Sequence, residues 1–309
     1  MNYLEIKLKS GLGTGNLYLG VEMEQLDSLR FTSYLIYLLS KCLPNSDFEE
    51  LKRNLRDNLT YIGITSPFFE SNNNFYLPAN YGTYTFFEED FDRKKMKKFV
   101  KFNIRSDSKD KFDLSDGLES YEILSYRIKN EVRGEGKARN VYTISTYLVK
   151  EFKFLIFSNW GKWDLIKSTI FKEGSIHFIG KRISIGFGRL KIEHDNKFKI
   201  NDIIVDGKIE KGYYYIFNRI PINETILKMI DVSKSHYEIV KIFGYLPKKD
   251  SDLVGRVLYC FKEGSILYFN DSELKNLIYN MSSSVHKKDY FVPVRPVLIK
   301  IKWEEDRNV

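Results

Sequence analysis

Alternating and helical patterns of apolar residues mark the first two elements of the chain. Polar and apolar residues alternate over "NYLEIKLK" (2–9), which predicts a half-buried strand. Apolar residues then recur at helical spacing as far as Lys41, with Asp27 or Ser28 suited to cap the helix and Pro44 to stop it. We therefore expect a strand followed by an amphipathic helix.

Similar patterns continue beyond the middle of the chain. Residues 51–65 predict a second short helix and a strand, and "EFKFLIFS" (151–158) predicts a central strand. Residues 161–180 predict a helix, against which Gly174 counts, and "GRLKIEH" (188–194) predicts a strand. With one insertion set aside, this order is the β-α-β-β-α-β plan of a ferredoxin-like domain.

The last third of the chain again mixes strands and helices. We expect strands at 213–218 and 236–244, a helix over 222–230 between them, and a further helix over 271–281. The alternating segment "PVRPVLIKIKW" (293–303) predicts a closing strand. On element order alone, this part also fits a ferredoxin-like plan.

These patterns predict an α+β fold class with tandem ferredoxin-like (RRM-like) domains, a glycine-rich loop and an inserted β-hairpin. The domains are expected at 1–200, with insertions at about 66–150, and at 201–309. Residues 66–140 include loop-like and highly charged stretches such as "ESNNNFYLPANYG" and "RSDSKDKFDLSDG". We expect them to form insertions and mobile loops and no part of the core.

The charge of the chain favours a polyanionic partner. Lysine and arginine outnumber aspartate and glutamate by 49 to 41, which gives a formal net charge of +8. Cys42 and Cys260 are far apart and form no disulfide framework, which favours a reducing compartment. No signal peptide is visible, and the longest apolar run is too short to span a bilayer, so we expect a cytoplasmic protein without a membrane partner.

Sequence motifs of common enzyme classes are missing. The chain has no P-loop, and Gly11, Gly13 and Gly15 miss the spacing of a dinucleotide-binding turn. The histidines are scattered, and His194-Asp195 fits a strand end better than a metal phosphohydrolase, so we expect no catalytic residue, metal site or cofactor. A metal-independent ribonuclease stays open at this point, because it needs only a histidine or tyrosine beside bound phosphates.

Glycines and cations are concentrated in "GKRISIGFGRLKI" (180–192). Glycines let a ligand approach the backbone closely, exposed N–H groups of such a turn bind anions, and nearby cations contact phosphates. The candidate RNA-binding residues in this stretch are Gly180, Lys181, Arg182, Gly186, Phe187, Gly188 and Arg189. Phe187 is suited to stack on a base. The composition alone also fits a plain turn into a strand with solvated cations.

A second basic segment is "NEVRGEGKARNVYT" (130–143), which carries Arg133, Lys137 and Arg139. Its glycines and the alternating run that follows are typical of a β-hairpin. The tip of such a hairpin either wedges between nucleotides or forms an ordinary surface turn. We include the three cations among the candidate RNA-binding residues.

The glycine-rich stretch resembles the RAMP superfamily of CRISPR proteins, and most closely the fourth subunit of the type III-A Csm effector complex. The family pattern G-G-K-x-S-x-G-F-G is matched at Gly180, Lys181, Ser184, Gly186, Phe187 and Gly188, and Ser184 is therefore also a candidate RNA-binding residue. The first helix and the segments 260–269 and 290–303 also resemble that family. In the first helix, Leu29-Arg30 replaces the family's Asp-Thr pair, which leaves open the equivalent subunit of a type III-B Cmr complex.

The resemblance implies a non-catalytic RNA-binding subunit that serves in antiviral defence. Such a subunit holds the 5′ repeat-derived handle of the CRISPR RNA and docks the large signalling subunit beside the backbone subunits of a type III effector complex. A hairpin of its first domain acts as a thumb near the first guide nucleotides, for which residues 130–150 are the candidate.

Two other hypotheses stand beside this one. A CRISPR RNA-processing endoribonuclease of the same superfamily has its glycine loop close to the C-terminus, whereas 121 residues (309 − 188) follow Gly188 here. A basic interaction protein without RNA would purify free of nucleic acid and show no affinity for single strands.

Overall fold

The structure, a computed structural model of the chain, describes eleven segments. They are residues 2–10, 27–88, 90–103, 111–118, 122–129, 141–148, 151–178, 189–195, 204–246, 254–282 and 289–302. The helices are α1 (Ser28–Cys42), α2 (Asn45–Arg56), α3 (Tyr81–Phe87), α4 (Trp163–Leu165, continued by a π-helical turn over Ile166–Ile170) and α5 (Glu224–Met229). The strands are β1 (Asn2–Ser10), β2 (Ile62–Ile64), β3 (Phe69–Ser71), β4 (Asn74–Pro78), β5 (Phe99–Phe102), β6 (Phe112–Leu118), β7 (Glu122–Lys129), β8 (Val141–Leu148), β9 (Glu151–Ser158), β10 (Ile176–Phe178), β11 (Arg189–Asp195), β12 (Lys208–Ile209), β13 (Gly212–Ile216), β14 (Ile220–Pro221), β15 (Ile230–His236), β16 (Ile239–Leu246), β17 (Val254–Phe261), β18 (Ile266–Phe269), β19 (Ser272–Glu273), β20 (Leu277–Ser282), β21 (Asp289–Val294) and β22 (Leu298–Ile301).

Five antiparallel strands form the N-terminal sheet, in the order β10-β11-β1-β9-β2. The succession β1, α1, β2, β9, α4, β11 follows the order predicted from the sequence, with β3 to β8 inserted between β2 and β9. The predicted cap of α1 is confirmed, because the Asp27 carboxylate accepts a hydrogen bond from the Arg30 backbone N–H at 2.8 Å. Pro44 separates α1 from α2, as predicted.

Both faces of this sheet are packed. On the first face, the alternation of β1 turns Leu4, Ile6 and Leu8 toward Phe31 and Leu35 of α1. The second face, with Leu155 and Phe157 of β9, packs against residues from the insertion and from the C-terminal half, including Phe68, Phe75, Phe102, Tyr215, Phe217 and Ile299. The two halves of the chain therefore share one apolar core, whose burial is their main source of mutual stabilisation.

The C-terminal half contains a four-stranded sheet in the order β15-β18-β13-β22 and a three-stranded sheet in the order β14-β17-β16. The predicted strands at 213–218 and 236–244 and the closing strand correspond to β13, β16 and β22. The predicted helix is α5, capped by the Asn223 carboxamide oxygen, which accepts from the Ile226 N–H at 3.0 Å. The assignment of both halves as ferredoxin-like domains, and the boundary between 1–200 and 201–309, stay predictions.

The expectation that residues 66–140 lie outside the core is wrong. Strands β3 to β6 form a four-stranded sheet, and Phe68, Leu77, Tyr84 and Val100 are almost fully buried. These apolar residues come from short elements that are separated by charged and loop-forming residues. The average composition of the stretch therefore hides a layer that covers the second face of the N-terminal sheet.

Two predicted helices are also corrected. The helix expected over 161–180 ends at Ile170, and a turn with Gly174 at φ +78° leads into β10. Residues 271–281 form β19 and β20 instead of a helix. Strand β20 pairs along its length with β21, from Leu277 opposite Val294 onward, so tertiary pairing outweighs the local helical spacing.

Candidate nucleic-acid interface

Strands β10 and β11 flank the glycine-rich stretch in sequence. They pair antiparallel, and Phe178 at the end of β10 lies opposite Arg189 at the start of β11. The candidates between these two ends lie outside the described residues: Gly180, Lys181, Arg182, Ser184, Gly186, Phe187 and Gly188. For Arg189, the last of the predicted loop residues, the structure describes the backbone, which pairs with β10. The glycine-rich stretch thus leaves and rejoins the N-terminal sheet at its β10 edge.

Strand β10 presents two apolar side chains to solvent. Ile176 is 46% exposed and Phe178 is 49% exposed, while His177 between them is buried. His177 faces α1, because its Nδ1 lies 2.9 Å from the Tyr34 hydroxyl oxygen. Alternation along a strand therefore places Ile176 and Phe178 on the second face of the sheet. The predicted helix over 161–180 did not identify Ile176 and Phe178 as exposed residues of a strand. The short alternation "IHF" is the sequence signal that could have identified them.

The second face changes from apolar to charged toward this edge. On β9, Leu155 and Phe157 are buried in the shared core. Nearer the edge, Lys153 is buried among carboxylates, and on β11 the Lys191 side chain keeps 55% of its surface exposed. The β10–β11 edge is therefore a part of this face that solvent reaches.

Charged residues of both signs lie on the second face near this edge. By register, the second-face positions of β1, β9 and β11 hold Lys7, Lys9, Lys153, Arg189 and Lys191 together with Glu5, Glu151, Glu193 and Asp195. Lys7 pairs with Glu151 at 2.7 Å, whereas the Lys191 Nζ lies 3.7 Å from a Glu193 oxygen. The largely exposed Lys191 side chain is therefore a cation of this edge that an anion can reach.

Lys153 is the centre of a buried charge cluster on the second face. Its side chain is 3% exposed, and its ammonium donates to Glu5 at 2.9 Å, to Asp195 at 2.8 Å and to Glu70. Burial alone would lower the pKa of Lys153, but the hydrogen bonds to Asp195, Glu5 and Glu70 raise it well above its usual range. The cluster ties β9 to β1, β11 and β3, and it holds the sheet together beside the candidate interface.

The predicted hairpin has two long arms. Strands β7 and β8 pair from Glu122 opposite Leu148 to Lys129 opposite Val141. Eight residues in each arm span about 27 Å at 3.4 Å per residue. Within the described strands, neither arm joins another sheet. The basic positions of its tip, Arg133, Lys137 and Arg139, lie outside the described residues.

The family-like segment 260–269 joins the two halves of the chain. Gly264 has φ +90°, and a Cβ atom there would lie 2.9 Å from the Pro78 carbonyl oxygen. The Asn80 side chain, which caps α3, donates to the Glu263 carbonyl at 3.0 Å and to the Ser265 hydroxyl at 2.8 Å. This segment therefore anchors α3, and its glycine is required by close backbone packing.

Arg219 connects the same segment to the first helix. Its guanidinium donates to Asp27 at 2.9 Å and to Glu263 at 2.7 Å. Burial would lower the pKa of Arg219, but the two carboxylates raise it above its usual range. Burial raises the pKa of Asp27 despite the neighbouring Arg219. The residue that caps α1 is thus also part of a buried ion-pair network between the halves.

Two histidines near the candidate interface make hydrogen bonds within the protein. The Nε2 atom of His177 lies 3.1 Å from the Ser175 hydroxyl, and burial lowers the pKa of His177. The Nε2 atom of His194 lies 2.7 Å from the Phe171 carbonyl oxygen, while Asp195 faces the Lys153 cluster. The two residues of the His194-Asp195 dipeptide therefore point to different structural contacts.

Within the described ranges, no three His, Cys, Asp or Glu side chains are grouped to hold a metal ion. Also within these ranges, no helix is long and apolar enough to cross a membrane.

Comparisons with known proteins identify the fold. No protein-family model matches the chain, and no curated protein is significantly similar in sequence. A chain of the crystal structure of the Csm3–Csm4 subcomplex in the type III-A CRISPR-Cas interference complex matches with a TM-score of 0.51 at 15% identity, over 97% of this chain and 100% of that chain. A chain of the Csm1–Csm4 cassette in complex with pppApA matches with a TM-score of 0.53 at 13% identity, over 97% and 99%. Csm4 is the subunit named in both structures. The predicted resemblance is thus confirmed in fold, and the chain shares its fold with subunits of the type III-A CRISPR-Cas Csm complex.

Proposed function

We propose that this chain is a non-catalytic RNA-binding subunit of a type III CRISPR-Cas effector ribonucleoprotein. One observation carries the proposal: the glycine-rich stretch 180–188 begins and ends at a solvent-exposed sheet edge that presents Lys191, in a fold shared over 97% of the chain with Csm-complex subunits. In this interpretation the two halves are ferredoxin-like domains, and the RNA lies along the β10–β11 edge of the first.

The proposed ligand is the 5′ handle of the CRISPR RNA. Its phosphates would lie against the backbone of residues 186–188, with Lys181, Arg182 and Arg189 around them. The hairpin of β7 and β8 would serve as the thumb that reaches the first guide nucleotides, through Arg133, Lys137 and Arg139. Support for this comes from the paired arms of the hairpin, which precede the central strand β9 in sequence.

The proposed protein partners are the large signalling subunit and the backbone subunits of the effector complex. The two solved structures pair Csm4 with Csm1 in one case and with Csm3 in the other. A chain with the fold of such a subunit would accordingly meet two different neighbours, one at each side of its place in the complex.

Binding of handle RNA tests the proposal. Replacing both Gly186 and Gly188 by valine should abolish retention of handle RNA by the purified chain, because the side chains hold the phosphates away from the backbone. Gly161→Val is the matched control, since a Cβ atom at Gly161 has no heavy atom within 4 Å. Unchanged affinity and salt dependence in the double variant would contradict the proposal.

Incubation with repeat RNA separates this function from that of a processing endoribonuclease. The non-catalytic proposal expects intact RNA in EDTA, and it is supported by the internal hydrogen bonds of His177 and His194. Cleavage in EDTA that is lost on substitution of a single histidine or tyrosine would establish the enzyme and overturn the scaffold role.

A further inference from the structure

Phe178 is an exposed aromatic residue at the point where the glycine-rich stretch leaves the sheet. Half of its surface is open to solvent, and Ile176, two residues earlier on the same face, is equally open. An exposed aromatic ring beside an exposed aliphatic side chain costs free energy in water. Such a pair on an edge strand indicates a ligand that covers it.

Charges at the edge select the class of that ligand. Ile176 lies opposite Lys191 in the ladder, and Phe178 lies opposite Arg189. The next strand places Lys9 opposite Lys191. The exposed Lys191 side chain and the neighbouring register positions of Arg189 and Lys9, beside an exposed ring, match a strand of nucleotides, in which phosphates and flat bases alternate, better than they match a neutral protein surface.

We propose that Phe178, Ile176 and Lys191 form a stacking platform for single-stranded RNA, in which a base packs on the Phe178 ring and Lys191 contacts a phosphate. The proposal rests on the RNA-binding function above and deepens it, because it names an unpaired base as the recognised group. Duplex RNA is excluded from such a platform, since its bases are already stacked and paired. Stacking reads no base edge, so the platform tolerates any base at this position.

The layers of the fold explain why the platform is small. Residues of the insertion and the C-terminal half cover the second face around Leu155 and Phe157. The Lys153 cluster fills the next strip of this face with buried charge. The exposed strip at β10 and β11 is two strands wide, which suits one or two nucleotides.

Fluorescence anisotropy with the full chain tests the platform. The probes are a short labelled oligo(A) RNA and an abasic sugar–phosphate strand of the same length. Phe178→Ala should weaken binding of oligo(A) by about 5- to 100-fold, the range for loss of one stacked base, and leave binding of the abasic strand unchanged. Phe178→Trp should restore the affinity for oligo(A), because it restores a π face.

Two controls separate stacking from folding and from charge. Phe178→Leu keeps an apolar side chain on β10 and should behave like Phe178→Ala. Tyr37→Ala removes an exposed aromatic from α1, which covers the other face, and should change nothing. Lys191→Gln should reduce the slope of log affinity against log salt by about 0.7, the value for one phosphate contact on a single strand, whereas Phe178→Ala should leave the slope unchanged.

The outcomes distinguish this inference from the proposed function. If Phe178→Ala binds oligo(A) like the wild type while the Gly186/Gly188 variant loses handle RNA, the platform is wrong and the RNA-binding function stands. If Phe178→Ala weakens oligo(A) and the abasic strand equally, Phe178 is a structural residue and the platform is wrong. If the wild type binds no single-stranded RNA, both proposals are wrong, and capture of a β-strand peptide by the β10 edge would indicate a protein ligand instead.

Discussion

Replacing Lys153 by methionine should destabilise the protein far more than the loss of an ordinary lysine. Methionine keeps the length of the side chain and its contact with apolar neighbours, but it removes the ammonium. The carboxylates of Glu5, Glu70 and Asp195 would then lose the ammonium that all three share. Glu5 is fully buried, so water cannot replace the lost hydrogen bond there.

The size of the effect follows from the distances. At 2.8–2.9 Å and an effective dielectric constant of about 20, each of the two longer contacts is worth about 6 kcal/mol of Coulomb energy. Desolvation of the charges offsets much of this, and breaking a buried ion pair by removing one partner costs about 3–5 kcal/mol. We expect Lys153→Met to lower the free energy of unfolding by about that amount at pH 7. The exposed pair of Lys162 and Asp47 is the control, and Lys162→Met should leave the free energy of unfolding almost unchanged, because solvent screens such a pair.

The pH dependence gives the prediction a second, independent test. In the wild type the raised pKa of Lys153 means that its contribution is fully present below about pH 10, the usual lysine value, and is lost only as the pH rises further. In Lys153→Met the crowded carboxylates favour proton uptake by the folded state, so its deficit should shrink as the pH falls from 7 toward 5.

Urea unfolding followed by circular dichroism measures both quantities. Wild type, Lys153→Met and Lys162→Met are compared at pH 7 and pH 5 on the full chain. The reasoning is refuted if Lys153→Met costs no more than Lys162→Met at pH 7, or if its deficit grows at pH 5.

Three further predictions follow from other buried groups. Gly264→Ala should lower the free energy of unfolding by about 2–4 kcal/mol, because it adds a 2.9 Å contact with the Pro78 carbonyl to the strain at φ +90°. Gly174→Ala, with φ +78° and open space around it, should lower it by about 1–2 kcal/mol. Equal losses in urea unfolding would disprove the role of close packing at Gly264. Burial raises the pKa of the Cys260 thiol to about 12. A thiol reagent at pH 8 should therefore modify the exposed Cys42 in the native protein, and Cys260 only after unfolding. Rapid reaction of both thiols in the native protein would contradict this. Burial lowers the pKa of His177, so its neutral form stabilises the fold above about pH 6.5 and this contribution is lost as the pH falls. His177→Gln should therefore flatten the decline in stability between pH 7 and pH 5, and parallel pH profiles of variant and wild type would rule this out.

Elements with a strong local signal could be predicted from the sequence. The alternation over 2–9 and the capping signal at Asp27 correspond directly to β1 and α1. Each of these segments has an apolar face in its own residue pattern, because β1 and α1 pack these faces against each other. The predicted closing strand is β22, whose apolar residues are buried.

Elements that depend on distant partners could not be predicted in this way. Residues 271–281 have a capping residue and helical spacing, yet β20 pairs with β21. The Asn276 carboxamide adds hydrogen bonds of 2.8 Å to the carbonyls of Leu55 and Thr60, more than 200 positions earlier in the chain. Local patterns contain no information on such contacts, and the same holds for the short strands of residues 66–118, whose apolar side chains meet only in the folded core.

The candidate site likewise contains some residues that the sequence reveals and one that becomes visible only in the fold. Glycines and cations of the stretch 180–188 stand out in composition, whereas Phe178 becomes notable only when β10 is placed at a sheet edge with its second face open. RRM domains bind RNA across an open sheet face through aromatic residues. In this protein the shared core covers the second face of the N-terminal sheet near Leu155 and Phe157, so within the described part of this sheet the proposed aromatic contact to RNA has room at the β10–β11 edge. Opening that face would require unfolding of the shared core. We therefore expect RNA affinity to respond to substitutions at the β10–β11 edge. Conservative core changes such as Leu155→Met, which leave the edge unaltered, should not change the RNA affinity.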